Sequence, residues 1–486
     1  MRYNVYKNVI ECTLSIKETV AYIITSRNYI LYQDCLAKMN TIAEAVENEQ
    51  GPEAIKIRNT LNAMYLQFQE SETKVKADAD VDAPTLLALS KTLATQCKEG
   101  LKYKINILFV AELASKWDAM ESVYKAFLER DDCEVEVVLE PVFRAARLAS
   151  GEAESETIYD DWLTPLGIKH TPYAEYNFAE KKPDITFISQ PYEAETIPEF
   201  WPENIAKHSR LVYIPFNTVL KLVSTTDYHN AFKLPVLEHS WKIICQSDRM
   251  KEYYRRYASG NANKVIVTGL PKWDYAMVHD RQNTPCPEEW KEKLEGKKVF
   301  LYSTHYTDQF ATMSSENRGV INFFLGRTDC ALIWRPHPMT ETVNKQYNPE
   351  NYARYKANEA AALKSSNVII DRDPSYANAF VWSDILISGE NSFLAQYLLA
   401  RKPIILRTPD LQANDISGLF EFLKLPFFYN RESLSQIVSL FIADPETNKK
   451  NREQLLEKFF SHAKGNVGYV VCDTMMRMFY REEGTI

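Results

Sequence analysis

Over residues 1–100, apolar side chains recur at helical spacing. Tyr32, Leu36, Met39, Ala43 and Val46 fall on one face, and Leu61, Met64, Tyr65 and Phe68 mark a second stripe. Gly51-Pro52 breaks the chain between them, and the charged stretch Lys74–Asp82 precedes another helix starting near Pro84. Strand signal is almost absent there. Residues 1–100 therefore predict a helical extension that docks on the main body or meets a partner.

From Lys104 the pattern changes. Short apolar runs at Asn106–Val110, Val135–Leu139, Asp184–Ser189, Leu211–Ile214, Lys242–Cys245 and Val265–Thr268 alternate with helical stretches such as Ala119–Glu129 and Asp248–Tyr257. Buried runs separated by crossover helices predict a parallel sheet with helices on both faces. After Gly269-Leu270-Pro271, a hydrophilic stretch to about Lys297 reads as a linker. A second set of runs follows at Val299–Tyr302, Cys330–Trp334, Val368–Ile370, Asp384–Ile387 and Pro403–Leu406. The tail from Asn451 to Arg481 reads as helical, with Leu455, Phe459 and His462 on one stripe. The expectation is an α/β protein of two successive open domains, 101–275 and 276–450, with a helical extension over 1–100 and a C-terminal helix over 451–486. Ligands of such folds bind where the strands end.

Composition narrows the function classes. A chain of 486 residues exceeds one ordinary domain, and its net charge of −8 leaves no general basic footprint for nucleic acid. The cysteines at 12, 35, 97, 133, 245, 286, 330 and 472 stand singly, which argues against structural zinc and for a reducing cytoplasm. No apolar run approaches the length of a membrane span, and Glu11, Lys17 and Glu18 interrupt the region where a signal peptide would need an apolar core. A cytoplasmic protein is expected, with peripheral contact to the inner face of a membrane left open.

Candidate chemistry concentrates between Ile333 and Leu406. Arg335-Pro336-His337-Pro338 ends a buried run, and the prolines deny it further ladder bonds, leaving an Arg and a His at a strand tip. Such a pair suits a phosphate, although an Arg paired with a nearby Asp would give the same sequence. The turn Ser388-Gly389-Glu390-Asn391-Ser392 opens a helix whose start favours anions, with Gln396 one turn on. An ordinary capped helix is the bland alternative. Thr304 and His305 end the first strand of the second domain, and Lys272 follows the Gly269–Pro271 turn, where a solvated lysine is the default. Asp78, Asp80 and Asp82 lack the turn glycine and terminal glutamate of a calcium loop and read as a solvated linker. The P-loop, dinucleotide-binding, G-x-S-x-G and H-E-x-x-H signatures are absent.

The order and spacing of FLYSTHYTD (Phe300–Asp308), WRPHP (Trp334–Pro338) and SDILISGENSFLAQYLLARKPII (Ser383–Ile405) resemble the CDP-glycerol glycerophosphotransferases of teichoic-acid and capsular polymer synthesis. Val110–Val138 resembles the opening of that family's first half, and VTGLPKWD (Val267–Asp274) its interdomain turn. The resemblance implies a GT-B-like fold of two facing Rossmann-type domains. It implies transfer of glycerol phosphate from CDP-glycerol to a hydroxyl, releasing CMP, without a cofactor or an obligatory metal.

Carried over, the resemblance makes Arg335 and His337 the basic tip at the donor, with His305 beside them as a catalytic candidate. Lys272 stands where the family often has Arg. Asn391 and Ser392 replace a pair of serines, Gln396 replaces an Asp, and Thr304 and Glu390 complete the substrate-binding candidates. The family's His-Gly-Thr-Pro-Leu-Lys loop, whose His is the expected base, corresponds here to Phe216-Asn217-Thr218-Val219-Leu220-Lys221. The base therefore passes to another group, such as His229, His239 or Glu112, or the acceptor differs, or the site does not turn over. Expected partners are CDP-glycerol or a similar CDP-alditol and a polymer or lipid-linked hydroxyl acceptor, with no nucleic acid and with oligomerisation left open. The rivals are a GT-B glycosyltransferase using a nucleotide sugar and a donor-binding scaffold.

Overall fold

The computed structural model describes residues 1–26, 29–76, 82–147, 153–219, 225–304, 319–373, 375–389, 391, 393–406, 434–444, 446–447 and 449–484. The chain divides into two compact units. The first comprises Met1–Ile107, Arg130–Val135 and Ala179–Ile185, and the second comprises Leu108–Glu129, Glu136–Phe178 and Thr186–Ile486.

In the first unit, long helices run over Tyr3–Ser26, Tyr32–Val46, Pro52–Lys76 and Ala83–Gly100. Their apolar stripes meet in a core that includes Val9, Ile16, Val20, Met39, Ile42, Ile57, Leu61, Met64 and Leu93, as the helical spacing predicts. Asp82 caps the last of these helices, accepting Thr85 N–H at 3.3 Å. Asp78 and Asp80 lie outside the described residues.

The strands are β1 (Ile105–Ala111), β2 (Cys133–Leu139), β3 (Val142–Arg147), β4 (Ala153–Ile158), β5 (Thr171–Pro172), β6 (Ile185–Ile188), β7 (Arg210–Tyr213), β8 (Lys242–Cys245), β9 (Val265–Val267), β10 (Lys298–Ser303), β11 (Cys330–Trp334), β12 (Val368–Ile370), β13 (Ile385–Ser388) and β14 (Ile404–Leu406). One sheet has the order β5-β2-β1-β6-β7-β8-β9, and another has β12-β11-β10-β13-β14. Every pairing in the second sheet is parallel. Its strands are buried on both faces, by Phe300, Tyr302, Leu332, Trp334, Ile385, Ile387 and Ile405 on one and by Leu301, Ile333, Leu386 and Ile404 on the other, which is why they read as unbroken apolar runs. The strand order reverses between β1 and β6 in one sheet and between β10 and β13 in the other. Each reversal opens a crevice at the carboxyl ends of its two strands.

Three expectations change. The antiparallel pair β3–β4 has no apolar alternation to announce it. The stretch after Pro271 is not a bare linker, because it folds into helices at Lys272–Val278 and Glu288–Leu294 that bury Trp273 and Trp290. The tail forms two helices, Lys449–Phe459 and Val467–Glu482, so His462 falls beyond the first.

The reason for that restart is a buried carboxylate. Asp274 accepts the Val467 N–H at 2.9 Å and the Gly468 N–H at 2.8 Å, satisfying two free donors at the start of the last helix. The helix then packs on Glu121–Leu128 and continues to Arg210, which pairs with Glu483. A β-carbon at Gly468 would sit 2.4 Å from the Ser122 carbonyl carbon and oxygen. Gly468→Ala is therefore expected to cost about 1–3 kcal/mol, read as a lower denaturation midpoint. An unchanged midpoint would contradict this packing.

Candidate functional site

The second crevice is built by short polar residues that follow apolar strands. Ser388, ending β13, donates its hydroxyl to the Ser303 carbonyl at the end of β10 over 2.6 Å. Asn391 donates to the same carbonyl at 3.2 Å and to Ser388 Oγ at 2.9 Å, while its own carbonyl oxygen accepts Phe393 N–H at 3.0 Å. Asn391 thus ties the two strand ends together and caps the helix Phe393–Leu399. Thr304 is buried just past β10. His305, Glu390 and Ser392 lie outside the described residues.

On the neighbouring strand, Arg335 extends past β11 and pairs with Asp371 at 2.6 Å. The Asp partner that the sequence left as an alternative is present. Burial pushes the Asp371 carboxyl up from its ordinary value, with Arg335 pulling it down. His337 accepts the Met339 N–H on Nδ1 at 3.1 Å, which leaves the proton of a neutral ring on Nε2.

Gln396 and Lys272 reach a point where both sheets contribute. Gln396 donates to Tyr376 Oη at 3.0 Å and to Asp118 Oδ2 at 3.2 Å, and Tyr376 donates to the same Oδ2 at 3.0 Å. Lys272 is buried rather than solvated. Its ammonium donates to the Phe216 carbonyl at 2.6 Å and stands 3.8 Å from Asp118 Oδ2. Burial raises the Asp118 carboxyl above its ordinary value, against the pull of Lys272 and the Tyr376 hydrogen bond. Asp118 and Tyr376 were not singled out from the sequence. Asp118 lies within the Val110–Val138 stretch that resembles the family's opening, and its one further signal is a charge inside the otherwise apolar Trp117–Met120 stretch.

The first crevice is also polar and buried. Glu112, just past β1, accepts Ser189 Oγ at 2.9 Å and pairs with Lys116 at 2.8 Å. Thr196 donates to Glu140 at the end of β2. Burial pushes the Glu140 carboxyl well above the usual range, Glu112 adds to this, and Thr196 and Lys116 oppose it. Phe216, in the position of the expected base, lies under the Lys116 ammonium at 4.8 Å. His229 is exposed on the helix Thr225–Phe232, and His239 precedes β8, away from the carboxyl ends. Neither enters the crevice. Leu220 and Lys221 lie outside the described residues. Among the described residues no cluster of His, Cys, Asp and Glu could hold a metal ion.

A family profile described as CDP-glycerol:poly(glycerophosphate) glycerophosphotransferase matches residues 217–477, more than half of the chain. The chain belongs to that family. It is a CDP-glycerol glycerophosphotransferase. No curated protein sequence gives a significant match. Among solved structures, the wall teichoic acid polymerase TagF is similar at a TM-score of 0.51 and 13% identity, over 86% of this chain and 98% of that one. A putative UDP-N-acetylglucosamine 2-epimerase from Listeria monocytogenes is similar at 0.51 and 12% identity, over 78% and 97%. At such identities these likenesses speak for the fold, which is GT-B-like, α/β with parallel sheets.

In this glycerophosphotransferase, Glu140 gives a sign-specific expectation. An acid whose folded pKa is raised holds its proton longer in the folded state. Its contribution is full below the unfolded value of about 4.3 and is lost as the pH rises through the folded value. Relative to Glu140→Gln, the wild type is expected to lose stability above about pH 4.3, by at most about 1.4 kcal/mol per pH unit. Urea midpoints across pH read this, and a pH-independent difference between the two proteins would contradict it.

Proposed function

We propose that the crevice at the carboxyl ends of β10 and β13 binds CDP-glycerol or a related CDP-alditol. An acceptor hydroxyl attacks the β-phosphorus, and CMP departs. The observation that carries this reading is the meeting at one buried point of Lys272, from the turn after β9, with Gln396, from the helix after β13. Gln396 falls in the Ser383–Ile405 segment that resembles the family, and Lys272 in the segment that resembles its interdomain turn.

The transition state of such a transfer is loose and needs positioning and charge neutralisation more than covalent chemistry. Lys272 stands beside the diphosphate as a fixed cation. Arg335 is oriented by Asp371 and turns part of its donor fork to the phosphates, His337 acts from the same strand tip, and His305 is assigned a catalytic role on its sequence position alone. Thr304, Asn391 and Gln396 are assigned to donor binding, as are Ser392 and Glu390 on their sequence positions alone. The acceptor is the hydroxyl end of a polymer or of a lipid-linked primer, met in the cytoplasm at the inner face of the membrane. Among the described residues no helix is long and apolar enough to cross a membrane, so on this reading contact with a lipid-linked acceptor is peripheral.

One observation favours a second reading, a donor-binding scaffold without turnover. Phe216 fills the place of the expected base, and its ring carries no group that could take a proton. Turnover decides between the two. The protein is expected to release CMP from CDP-glycerol when given a glycerol-phosphate-primed acceptor. The pair Arg335→Ala with His337→Ala should lower kcat by about 10²–10³. CDP-glycerol at 100 times its Kd should stabilise the fold by about 2.7 kcal/mol. Wild-type activity in the double variant removes these two roles, and stabilisation by UDP-sugars but not by CMP or CDP-glycerol removes the donor assignment.

A further inference from the structure

Asp118 is an unusually placed carboxylate. It follows the helix Ala114–Trp117 after β1, yet its partners Tyr376 and Gln396 belong to the second sheet's segments. One oxygen, Oδ2, is crowded by the Tyr376 hydroxyl at 3.0 Å, the Gln396 amide at 3.2 Å and the Lys272 ammonium at 3.8 Å. The other oxygen, Oδ1, has no hydrogen-bond partner among the described residues, and neither has Gln396 Oε1. The two residues are only 7% and 1% exposed, so solvent does not supply the missing donors freely. Buried acceptors without donors are uncommon and costly. Here two of them sit on side chains already bonded to each other, beside the lysine of the donor crevice. What they lack is a molecule that brings two O–H groups close together.

We propose that Asp118 Oδ1 and Gln396 Oε1 form the acceptor site, taking the two neighbouring hydroxyls of a polyol end, and that Asp118 is the general base. This rests on the donor reading above. The acceptor O–H bond breaks and its proton passes to Asp118 Oδ1, while the oxygen forms the new bond to the β-phosphorus. The bond from that phosphorus to the bridging oxygen breaks, and its electron pair leaves on CMP beside the Lys272 ammonium. Asp118 then returns the proton to solvent. The Tyr376 and Gln396 donors hold Oδ2 and so aim Oδ1 at the substrate. The cluster is closed in this structure, so the acceptor enters as the two sheets part, an opening common among cleft enzymes.

The groups that face Asp118 are Lys272 and Tyr376, which favour its charged form, and Glu121, which opposes it, while Tyr275 lies within electrostatic reach. Burial, with Glu121, outweighs Lys272 and Tyr376 and holds the carboxyl above its ordinary value. Activity should therefore fall as the pH drops through that raised value.

The test is CMP release by the full-length protein from CDP-glycerol with a primer ending in a glycerol 1,2-diol. Asp118→Asn keeps the shape, removes a buried charge and offers a donor to Gln396 Oε1. It is expected to lower kcat by about 10²–10⁴, leave the donor KM near wild type, and abolish the acid limb of the pH profile. A primer lacking one hydroxyl of the diol should lose about 100-fold or more in kcat/KM. Wild-type kcat in a folded Asp118→Asn protein overturns the proposal. If that variant does not fold, Tyr376→Phe decides. Losing one donor to Oδ2 should move the acid limb to higher pH, and an unmoved limb overturns the assignment. A wild type that releases no CMP removes the donor reading and this inference with it, whereas an active wild type beside an equally active Asp118→Asn removes this inference alone.

Discussion

A carboxylate taken out of water must be surrounded by donors or cations, and Asp118 meets that demand with groups from three other segments. Lys272 comes from the turn after β9, Tyr376 from the residue before the helix Ala377–Trp382, and Gln396 from the helix after β13. Removing one partner of a buried ionic group typically costs about 3–5 kcal/mol, because the remaining charge is left uncompensated. The positions of the two sheets' connecting segments are therefore tied to one small polar centre. The Phe216 carbonyl adds a further constraint by holding the Lys272 ammonium at 2.6 Å.

Both sheets solve the same local problem in the same way. Where the paired strands end, the ladder stops and short polar side chains take over. In the second sheet Ser388 and Asn391 close on the Ser303 carbonyl. In the first, Ser189 closes on Glu112. These bonds keep the crevices polar and shaped, as a phosphotransferase that works by positioning requires. The cations are correspondingly few and well placed. Arg335 is aimed by Asp371, and Lys272 by a carbonyl and a carboxylate.

Much of this architecture is legible in the sequence, because fully buried parallel strands are written as unbroken apolar runs. The runs at Cys330–Trp334 and Val368–Ile370 match their strands end to end, and Asn106–Val110 falls one residue short of β1 at each end. The polar hairpin β3–β4 carries no such pattern. The stretch after Pro271 reads as a linker on its charge, yet Trp273 and Trp290 anchor it. The site divides along similar lines. Arg335, His337, Asn391 and Gln396 sit in dense motifs, which is why the sequence offers them as candidates. Asp118 and Tyr376 are made relevant only by a fold that brings residues 258 positions apart into hydrogen-bond contact. Lys272 is a candidate in the sequence, but its burial is not legible there, because burial depends on what the rest of the chain places around it.

The most direct measurement is a crystal structure of the protein with CDP-glycerol bound. The diphosphate is expected within hydrogen-bond reach of the Lys272 ammonium, at the carboxyl ends of β10 and β13, with Asp118 facing the β-phosphorus. A diphosphate bound at the first sheet's crevice, or anywhere without contact to Lys272, would contradict the account.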